Sequence, residues 1–198
     1  MAESGSGIGF DEGQIAYVAL GSNQGDRDAL LVFAASEIDA TPGLSVVAAS
    51  RVFETDPVGP PPQNAYLNAA LELRSALTPQ VLLARLLAIE RAAGRRRGGG
   101  GRAKPARWSP RPLDLDLLLY GDLCVDQPSL TLPHPRLHLR AFVLEPLCDL
   151  AGGLVHPRLG ETLESLARRV RDPEAVRPWP RPITLEPGPK PPNSANRV

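Results

Sequence analysis

The densest group of reactive side chains lies in Arg107-Trp108-Ser109-Pro110-Arg111-Pro112-Leu113-Asp114-Leu115-Asp116-Leu117-Leu118-Leu119-Tyr120. Leu113 to Tyr120 is mostly apolar and bounded by Pro112 and Gly121, the pattern of a buried strand. Side chains alternate along a strand, so Asp114 and Asp116 share one face and Leu113, Leu115 and Leu117 the other. That spacing sets the carboxylates roughly 6–7 Å apart. Charges on a buried strand are costly, and two carboxylates on one face cannot neutralise each other. A hard divalent cation resolves the conflict, and Mg²⁺ held by one or two carboxylates commonly also holds substrate phosphates. Arg107 and Arg111 suit the same phosphates, because guanidinium is a rigid bidentate donor. An Asp-x-Asp pair alone is a weak signal, since most are solvated edge-strand charges. The leucine-rich run and the Arg-Trp-Ser-Pro-Arg before it give this pair its weight.

Upstream lies a basic segment. Arg91, Arg95, Arg96, Arg97, Arg102, Lys104, Arg107 and Arg111 are eight of the chain's 22 cations, with no acid among them. Four glycines, Gly98 to Gly101, predict a mobile loop. By itself such a loop is a solvated face or a nucleic-acid patch. Beside a carboxylate pair it predicts a lid that closes over a polyphosphate and excludes water. Tyr66 and Asn68 share a strand face, and an aromatic plus an amide suits a flat heterocycle with donor and acceptor edges. Taken singly, Tyr66 reads as core and Asn68 as a structural hydrogen bond. His134, in Leu132-Pro133-His134-Pro135, is a phosphate donor or, taken singly, a cap. Arg140 and Phe142 face either the site or solvent.

These residues need a scaffold. Residues 1–13 are polar and Gly-rich and read as a disordered lead. Gln14 to Leu20 is a strand, and Gly21 to Gly25 a turn. Asp26 caps a helix running to about Ala40 with Leu31, Ala35 and Ile38 on one stripe. Leu44 to Phe53 is a second strand, Glu54 to Ala65 a proline-stiffened loop, and Tyr66 to Leu73 a third strand. Thr78-Pro79 opens a helix that buries Leu82, Leu86, Ile89 and Ala93 and stops at Gly94. After the basic loop and the aspartate strand come a short strand pair and two helices, Leu139 to Leu150 and Thr162 to Arg171. The order β-α-β-β-α-β predicts an α+β, ferredoxin-like split-βαβ fold, with an antiparallel sheet, helices packed on one face, and extra C-terminal helices. Residues 14–171 form the domain. Residues 172–198 hold eight prolines and read as an extended or disordered tail.

Bulk composition narrows the function. The chain has 198 residues, 22 basic and 22 acidic, for a formal net charge of zero. Global charge therefore argues against nucleic-acid and membrane-surface binding. No apolar run approaches the ~18 residues of a membrane span, and the N-terminus is not a secretory signal. Two cysteines, Cys124 and Cys148, predict buried free thiols and a cytoplasmic protein. Nothing points to an obligate interface, so a monomer is expected.

One family carries these features in one order. Gly21-Ser22-Asn23, Thr55-x-Pro57-x-Gly59, Tyr66-Leu67-Asn68, Ile89-Glu90 ahead of Gly94-Arg95, Arg-Trp-x-Pro-Arg-x-Leu-Asp-Leu-Asp, and Leu-Pro-His-Pro followed by Arg140-Ala141-Phe142-Val143-Leu144 resemble the 6-hydroxymethyl-7,8-dihydropterin pyrophosphokinases of folate biosynthesis, across roughly residues 14 to 155. The resemblance implies transfer of the β,γ-diphosphate of ATP to the pterin hydroxymethyl group, releasing AMP. It implies two Mg²⁺ ions on Asp114 and Asp116, and catalysis by these with Arg95, Arg97 and Arg111. It implies a pterin site of Thr55, Val58, Tyr66, Asn68, Trp108 and Phe142, with Tyr66 and Phe142 as the sandwich. Glu90, Arg95, Arg97, Arg107, Arg111, Thr131, His134 and Arg140 match positions around ATP. No strong general base stands out, so positioning and electrostatics would carry the reaction. The chain departs from the pattern in its longer Arg97–Trp108 loop, in Ser109 where glycine is common, in Leu87, and in its tail. Two other readings compete. A different Mg²⁺-dependent phosphoryl or nucleotidyl transferase would not need Tyr66, Asn68 and Phe142 together. An RNA-binding module of the same fold would need aromatics where the central strand carries aspartates.

Overall fold

The computed structural model describes residues 13–57, 64–94, 112–172 and 175–185. Its centre is an antiparallel sheet of β1 (Gln14–Ser22), β2 (Leu44–Ala49), β3 (Phe53–Thr55), β4 (Tyr66–Ser75), β5 (Asp114–Tyr120) and β8 (Val176–Pro178). The order is β5-β1-β4-β3-β8, with β2 pairing the other end of β4. β6 (Val125–Gln127) and β7 (Leu130–Leu132) form a separate hairpin.

Two helices follow the local signals closely. In α1 (Arg27–Asp39) the Asp26 carboxylate accepts the Ala29 N–H at 3.1 Å, and Leu31, Ala34, Ala35 and Ile38 are buried. In α2 (Pro79–Ala92) the Thr78 hydroxyl accepts the Val81 N–H, proline opens the first turn, and Leu82, Leu86, Ile89 and Glu90 are buried. Gly94 follows with φ +90°, the left-handed stop that favours glycine. Both helices pack on the sheet face formed by Ala16, Val18, Leu20, Leu67, Leu71, Leu113, Leu115 and Leu117. Each fully buried leucine contributes about 1.5–3 kcal/mol. Leu113, Leu115 and Leu117 together contribute about 5–9 kcal/mol, enough to hold the strand although it carries two aspartates on its other face.

The expectation of helices on one face only is corrected. α3 (Ala141–Ala151) and α4 (Leu163–Val170) cover the opposite face, burying Val143, Leu144, Leu147, Leu163 and Leu166 against Tyr17, Leu118 and Leu119. The run Leu117-Leu118-Leu119 serves both cores through a β-bulge. Val18 pairs with Leu117 and Tyr17 with Leu119, so Leu118 is an extra residue. Alternation resumes one step out of phase, and Tyr120 returns to the first core, donating its hydroxyl to the Leu77 carbonyl at 2.6 Å.

Other boundaries shift. The expected second strand is two, β2 and β3, broken at Ser50. Ser50 keeps the edge attached, donating its N–H to the Ala70 carbonyl and accepting the Ala70 N–H on its hydroxyl at 2.8 Å. β3 reaches Thr55, which is therefore in the sheet and not in the following loop. β1 continues through Ser22, so Gly21 is a strand residue and not part of a turn. A short 3-10 turn, Leu137–Leu139, precedes α3, leaving Arg140 as its N-cap residue. The prolines of the tail do not prevent residues 176–178 from joining the sheet as β8. Cys148 is half-buried, its thiol pushed up to about 11 by burial and then by Glu145, but Cys124 is exposed, contrary to expectation.

Candidate active site

On the α3 face of the sheet, register fixes what lies beside what. Asp114 is opposite Gly21 on β1, and Gly21 is opposite Asn68 on β4. Asn68 is opposite Phe53 on β3, and two residues along, Thr55 is opposite Tyr66. Directly opposed residues in antiparallel strands share a face. The carboxylates and the Tyr66–Asn68 pair thus share one face, separated by β1, which presents a glycine between them. A Cβ added to Gly21 would lie 3.4 Å from Asn68 Oδ1 and 4.0 Å from Asp114 Cβ. The absent side chain leaves a trough between the two groups.

Thr55 and Asn68 are buried, and the Asn68 amide donates to the Thr55 hydroxyl at 2.7 Å. That bond fixes the amide edge that Asn68 presents. α3 packs over β4 and supplies Phe142 from its first turn. The Arg140 guanidinium lies 5.5 Å from the Phe142 ring centroid. Arg140 Nη1 is 3.5 Å from Asp116 Oδ2, and His134 Nε2 is 3.8 Å from the same oxygen. Both separations exceed an ordinary charge-assisted hydrogen bond. With a side chain 35% exposed, Asp116 faces an open cationic surround.

His134 is fixed in orientation. Its backbone N–H donates to the Leu118 carbonyl at 2.8 Å, and its ring Nδ1 accepts the Arg136 backbone N–H. The neutral ring therefore carries its proton on Nε2, the nitrogen that faces Asp116. Burial pushes the His134 imidazolium below its usual range; Asp116 opposes that shift and Arg140 adds to it. His134 thus unites the two sequence readings, capping a turn with one nitrogen and offering a donor with the other.

Not every expected residue joins this group. Glu90 is 1% exposed and sits at the outer edge of β5, where its Oε1 accepts the Leu115 N–H at 2.8 Å. It holds the peptide between the two aspartates and is placed beside the site rather than over it. Thr131 lies in the β6–β7 hairpin, opposite Asp126. Val58, Arg95, Arg97, Arg107, Trp108 and Arg111 lie outside the described residues. Sequence reasoning missed Phe53, buried opposite Asn68 with the Arg51 guanidinium 5.2 Å from its ring. Its signal was the two-residue spacing to Thr55 once both belong to one strand.

The donor set discriminates among metals. Among the described residues no three His, Cys, Asp or Glu side chains cluster as metal ligands. Asp114 and Asp116 are two oxygen donors on an accessible face, with cations at the rim. A resident zinc site would demand three or four protein ligands. Two carboxylates completed by phosphate oxygens and water suit Mg²⁺.

Comparison with known proteins supplies the family. Residues 17–152 match the family described as 7,8-dihydro-6-hydroxymethylpterin-pyrophosphokinase. A 2-amino-4-hydroxy-6-hydroxymethyldihydropteridine pyrophosphokinase of Methylorubrum extorquens is 43% identical over 162 residues, covering 81% of this chain and 96% of that one. Its counterpart in Bacillus subtilis is 37% identical over 166 residues, covering 83% and 90%. Among solved structures, an HPPK-DHPS in complex with substrates superposes with a TM-score of 0.63 at 11% identity, over 85% of this chain and 47% of the other. A Plasmodium falciparum HPPK-DHPS gives 0.61 at 14% identity, over 81% and 46%. The chain spans just under half of those longer polypeptides, and the likeness to them is one of fold.

Proposed function

The chain belongs to the 7,8-dihydro-6-hydroxymethylpterin-pyrophosphokinase family, and we propose that its two substrates meet over the Asp114–Gly21–Asn68 row of the sheet. The activity is that of an ATP-dependent diphosphotransferase of folate biosynthesis. The β,γ-diphosphate of ATP passes to the hydroxymethyl oxygen of 6-hydroxymethyl-7,8-dihydropterin. A bond forms from that oxygen to the β-phosphorus, the bond from the β-phosphorus to the oxygen shared with the α-phosphate breaks, the hydroxyl proton passes to water, and AMP leaves with the shared oxygen.

The observation that carries the site assignment is the separation of two chemistries by one glycine. Thr55, Tyr66, Asn68 and Phe142, together with Val58 and Trp108, would receive the pterin. Asn68 is suited to reading its polar edge, because its orientation is already held by Thr55. Asp114 and Asp116 would hold two Mg²⁺ ions, which when bound neutralise charge on the phosphates. Arg140 and His134, at the Asp116 rim, would donate to the ATP phosphates, with Glu90 and Thr131 near the nucleotide. His134 presents a proton-bearing nitrogen there, so it acts as a donor and not as the base. Arg95, Arg97, Arg107 and Arg111 would complete the phosphate contacts, and Trp108 would close over the substrates. Positioning and electrostatics supply the catalysis, as for phosphoryl transfer generally.

The strand order, with β2 and β3 as one interrupted strand and α1 and α2 on one face, supports the ferredoxin-like split-βαβ reading. On that reading residues 14–171 carry the catalytic site, preceded by a lead at 1–13 and followed by a tail at 172–198 whose residues 176–178 join the sheet as β8. No helix among the described residues is long and apolar enough to cross a membrane. We place the enzyme in the cytoplasm, acting as a monomer on small molecules without nucleic acid.

A coupled assay for AMP tests this directly. AMP should form from ATP only when the hydroxymethyl pterin and Mg²⁺ are both present. Release of ADP instead would identify an ordinary kinase, and AMP release without the pterin would remove it as the acceptor.

A further inference from the structure

The family match ends at residue 152, yet the chain returns to the sheet after it. β8 lies antiparallel to β3, with Val176 opposite Thr55, Arg177 opposite Glu54 and Pro178 opposite Phe53. It is the outermost strand on the side that carries Thr55. A proline is tolerated on such an edge, where an N–H can be spared.

Trp179 anchors this strand. Its backbone N–H donates to the Val52 carbonyl and its indole N–H to Asp28 Oδ1, both at 2.8 Å. Its ring packs against the first core and lies 5.2 Å from the Arg27 guanidinium carbon. Arg27 Nη1 donates to Glu54 Oε1 at 3.0 Å and to the Ala65 carbonyl at 2.8 Å. One guanidinium, stacked on Trp179, therefore ties the end of β3 to the residue just before Tyr66. The side chains of Arg27 and Glu54 are only 22% and 25% exposed, so solvent screens this pair less than a surface pair. Arg177 adds contacts to Asp56 Oδ1 at 2.8 Å and Glu54 Oε2 at 3.9 Å, but both Arg177 and Asp56 are exposed and the addition is small.

We propose that the C-terminal strand and Trp179 are a strap that positions the Thr55–Tyr66 wall of the pterin pocket through Arg27 and Glu54. This rests on the assignment of Thr55, Tyr66 and Asn68 to the pterin. Neither Trp179 nor Arg27 touches the reacting atoms; they are positioning residues. The strap grips the side of the sheet away from Asp114 and Asp116, so its effect falls on one substrate.

The test measures KM for the pterin and for ATP, with kcat, on full-length chains. Trp179→Ala should raise the pterin KM about fivefold or more and leave the ATP KM within about twofold. Trp179→Phe keeps a ring under Arg27 and should recover most of that loss. Arg177→Ala should change either KM by less than about twofold. Amide hydrogen exchange at residues 53–57 and 64–68 should quicken in Trp179→Ala while β1 stays protected. Should Trp179→Ala fail to fold, Arg27→Lys replaces it. Lysine keeps the charge but not the planar fork that bridges Glu54 and Ala65, and the same split between the two KM values is expected. Equal rises in both KM values, or an unchanged pterin KM in a folded variant, would overturn the strap. A wild-type chain that neither binds nor turns over the pterin would instead remove the functional assignment, and the strap with it.

Discussion

Gly21→Ala separates folding from function at one atom. The substitution adds a methyl group in the trough between Asn68 and Asp114, where its nearest contacts would be 3.4 Å from Asn68 Oδ1 and 4.0 Å from Asp114 Cβ. Among the described residues the first is at the near limit of van der Waals contact and the second is ordinary contact, so these neighbours accept the methyl with little movement. Gly21 also lacks the positive φ that would favour glycine, being an ordinary strand residue. Replacing glycine in a strand then removes unfolded-state entropy and stabilises by about 0.5–1 kcal/mol. For a domain of this size that raises Tm by roughly 1–4 °C. The ligand meets the opposite sign. If the pterin hydroxymethyl and the β-phosphate meet over Gly21, the methyl overpacks the bound state by about 1–3 kcal/mol. That corresponds to a loss of roughly 5- to 150-fold in kcat/KM. Thermal unfolding and the AMP assay, run on one preparation, read the two effects separately. A higher Tm with unchanged kinetics for both substrates would refute the placement of the reacting groups over this row. A lower Tm would show instead that the trough is closed by packing absent from the register argument.

Other outcomes follow from the same geometry. Asp116→Ala should abolish measurable turnover while leaving Tm within a few degrees, because its side chain is 35% exposed and its ion pairs with the described His134 and Arg140 are long, at 3.8 and 3.5 Å; turnover at ordinary Mg²⁺ would disprove the metal assignment. Glu90→Ala should lose about 1.5–3 kcal/mol, since it strips the acceptor from the buried Leu115 N–H. In calorimetry this is a fall of roughly 3–12 °C, and Glu90→Gln, which keeps an acceptor oxygen, should lose much less. His156 predicts a pH dependence away from the site. It is 3% exposed, its Nδ1 accepts the Arg158 and Leu159 N–H groups, and burial, then His138, push its imidazolium below the usual range. A base with a lowered folded pKa stabilises fully above its unfolded value of about 6.5, and this contribution is lost as pH falls through that value toward the folded pKa. Urea unfolding should therefore show wild type losing more stability between about pH 7.5 and 5.5 than His156→Asn; equal losses would exclude His156 as a source.

The sequence was most legible where one local rule had no competitor. The α1 and α2 caps and stripes needed only neighbours three or four residues away, and they stand where the spacing put them. β5 was legible as far as Leu117, because aspartates and leucines alternate there. Beyond it the residues are apolar on both faces, alternation carries no information, and the bulge at Leu118 could not be seen. The break between β2 and β3 depended on a hydroxyl, Ser50, meeting a backbone amide twenty residues away. The second helical layer had a weaker cue. Phe142, Val143, Leu144, Leu147 and Cys148 make α3 apolar over a wide arc, more than an end-cap needs. In the tail, proline content argued for an extended segment, but Trp179 was the contrary sign. An aromatic of that size in a polar, proline-rich run wants a surface to cover, and here it covers the start of α1.

At the candidate site, residue type was legible and partnership was not. Asp114, Asp116, Tyr66 and Asn68 were chosen for their chemistry, and strand alternation placed each pair on a face. That both pairs share one face depended on β1 lying between β4 and β5 in a register that sets Gly21 against Asp114 and Asn68. A one-residue slip would have put Leu20 in the trough and turned Gly21 to the helices. The burial of Val18 and Leu20 against α1 and α2 opposes that slip. The register that aligns the two proposed substrate sites is thus fixed by the opposite face, in the hydrophobic core. Glu90 follows the same logic. Its carboxylate was matched to ATP by likeness of position, yet it grips the Leu115 amide and so fixes the edge on which both aspartates stand. Its loss would therefore disturb the site through the strand, even if no nucleotide atom touches it.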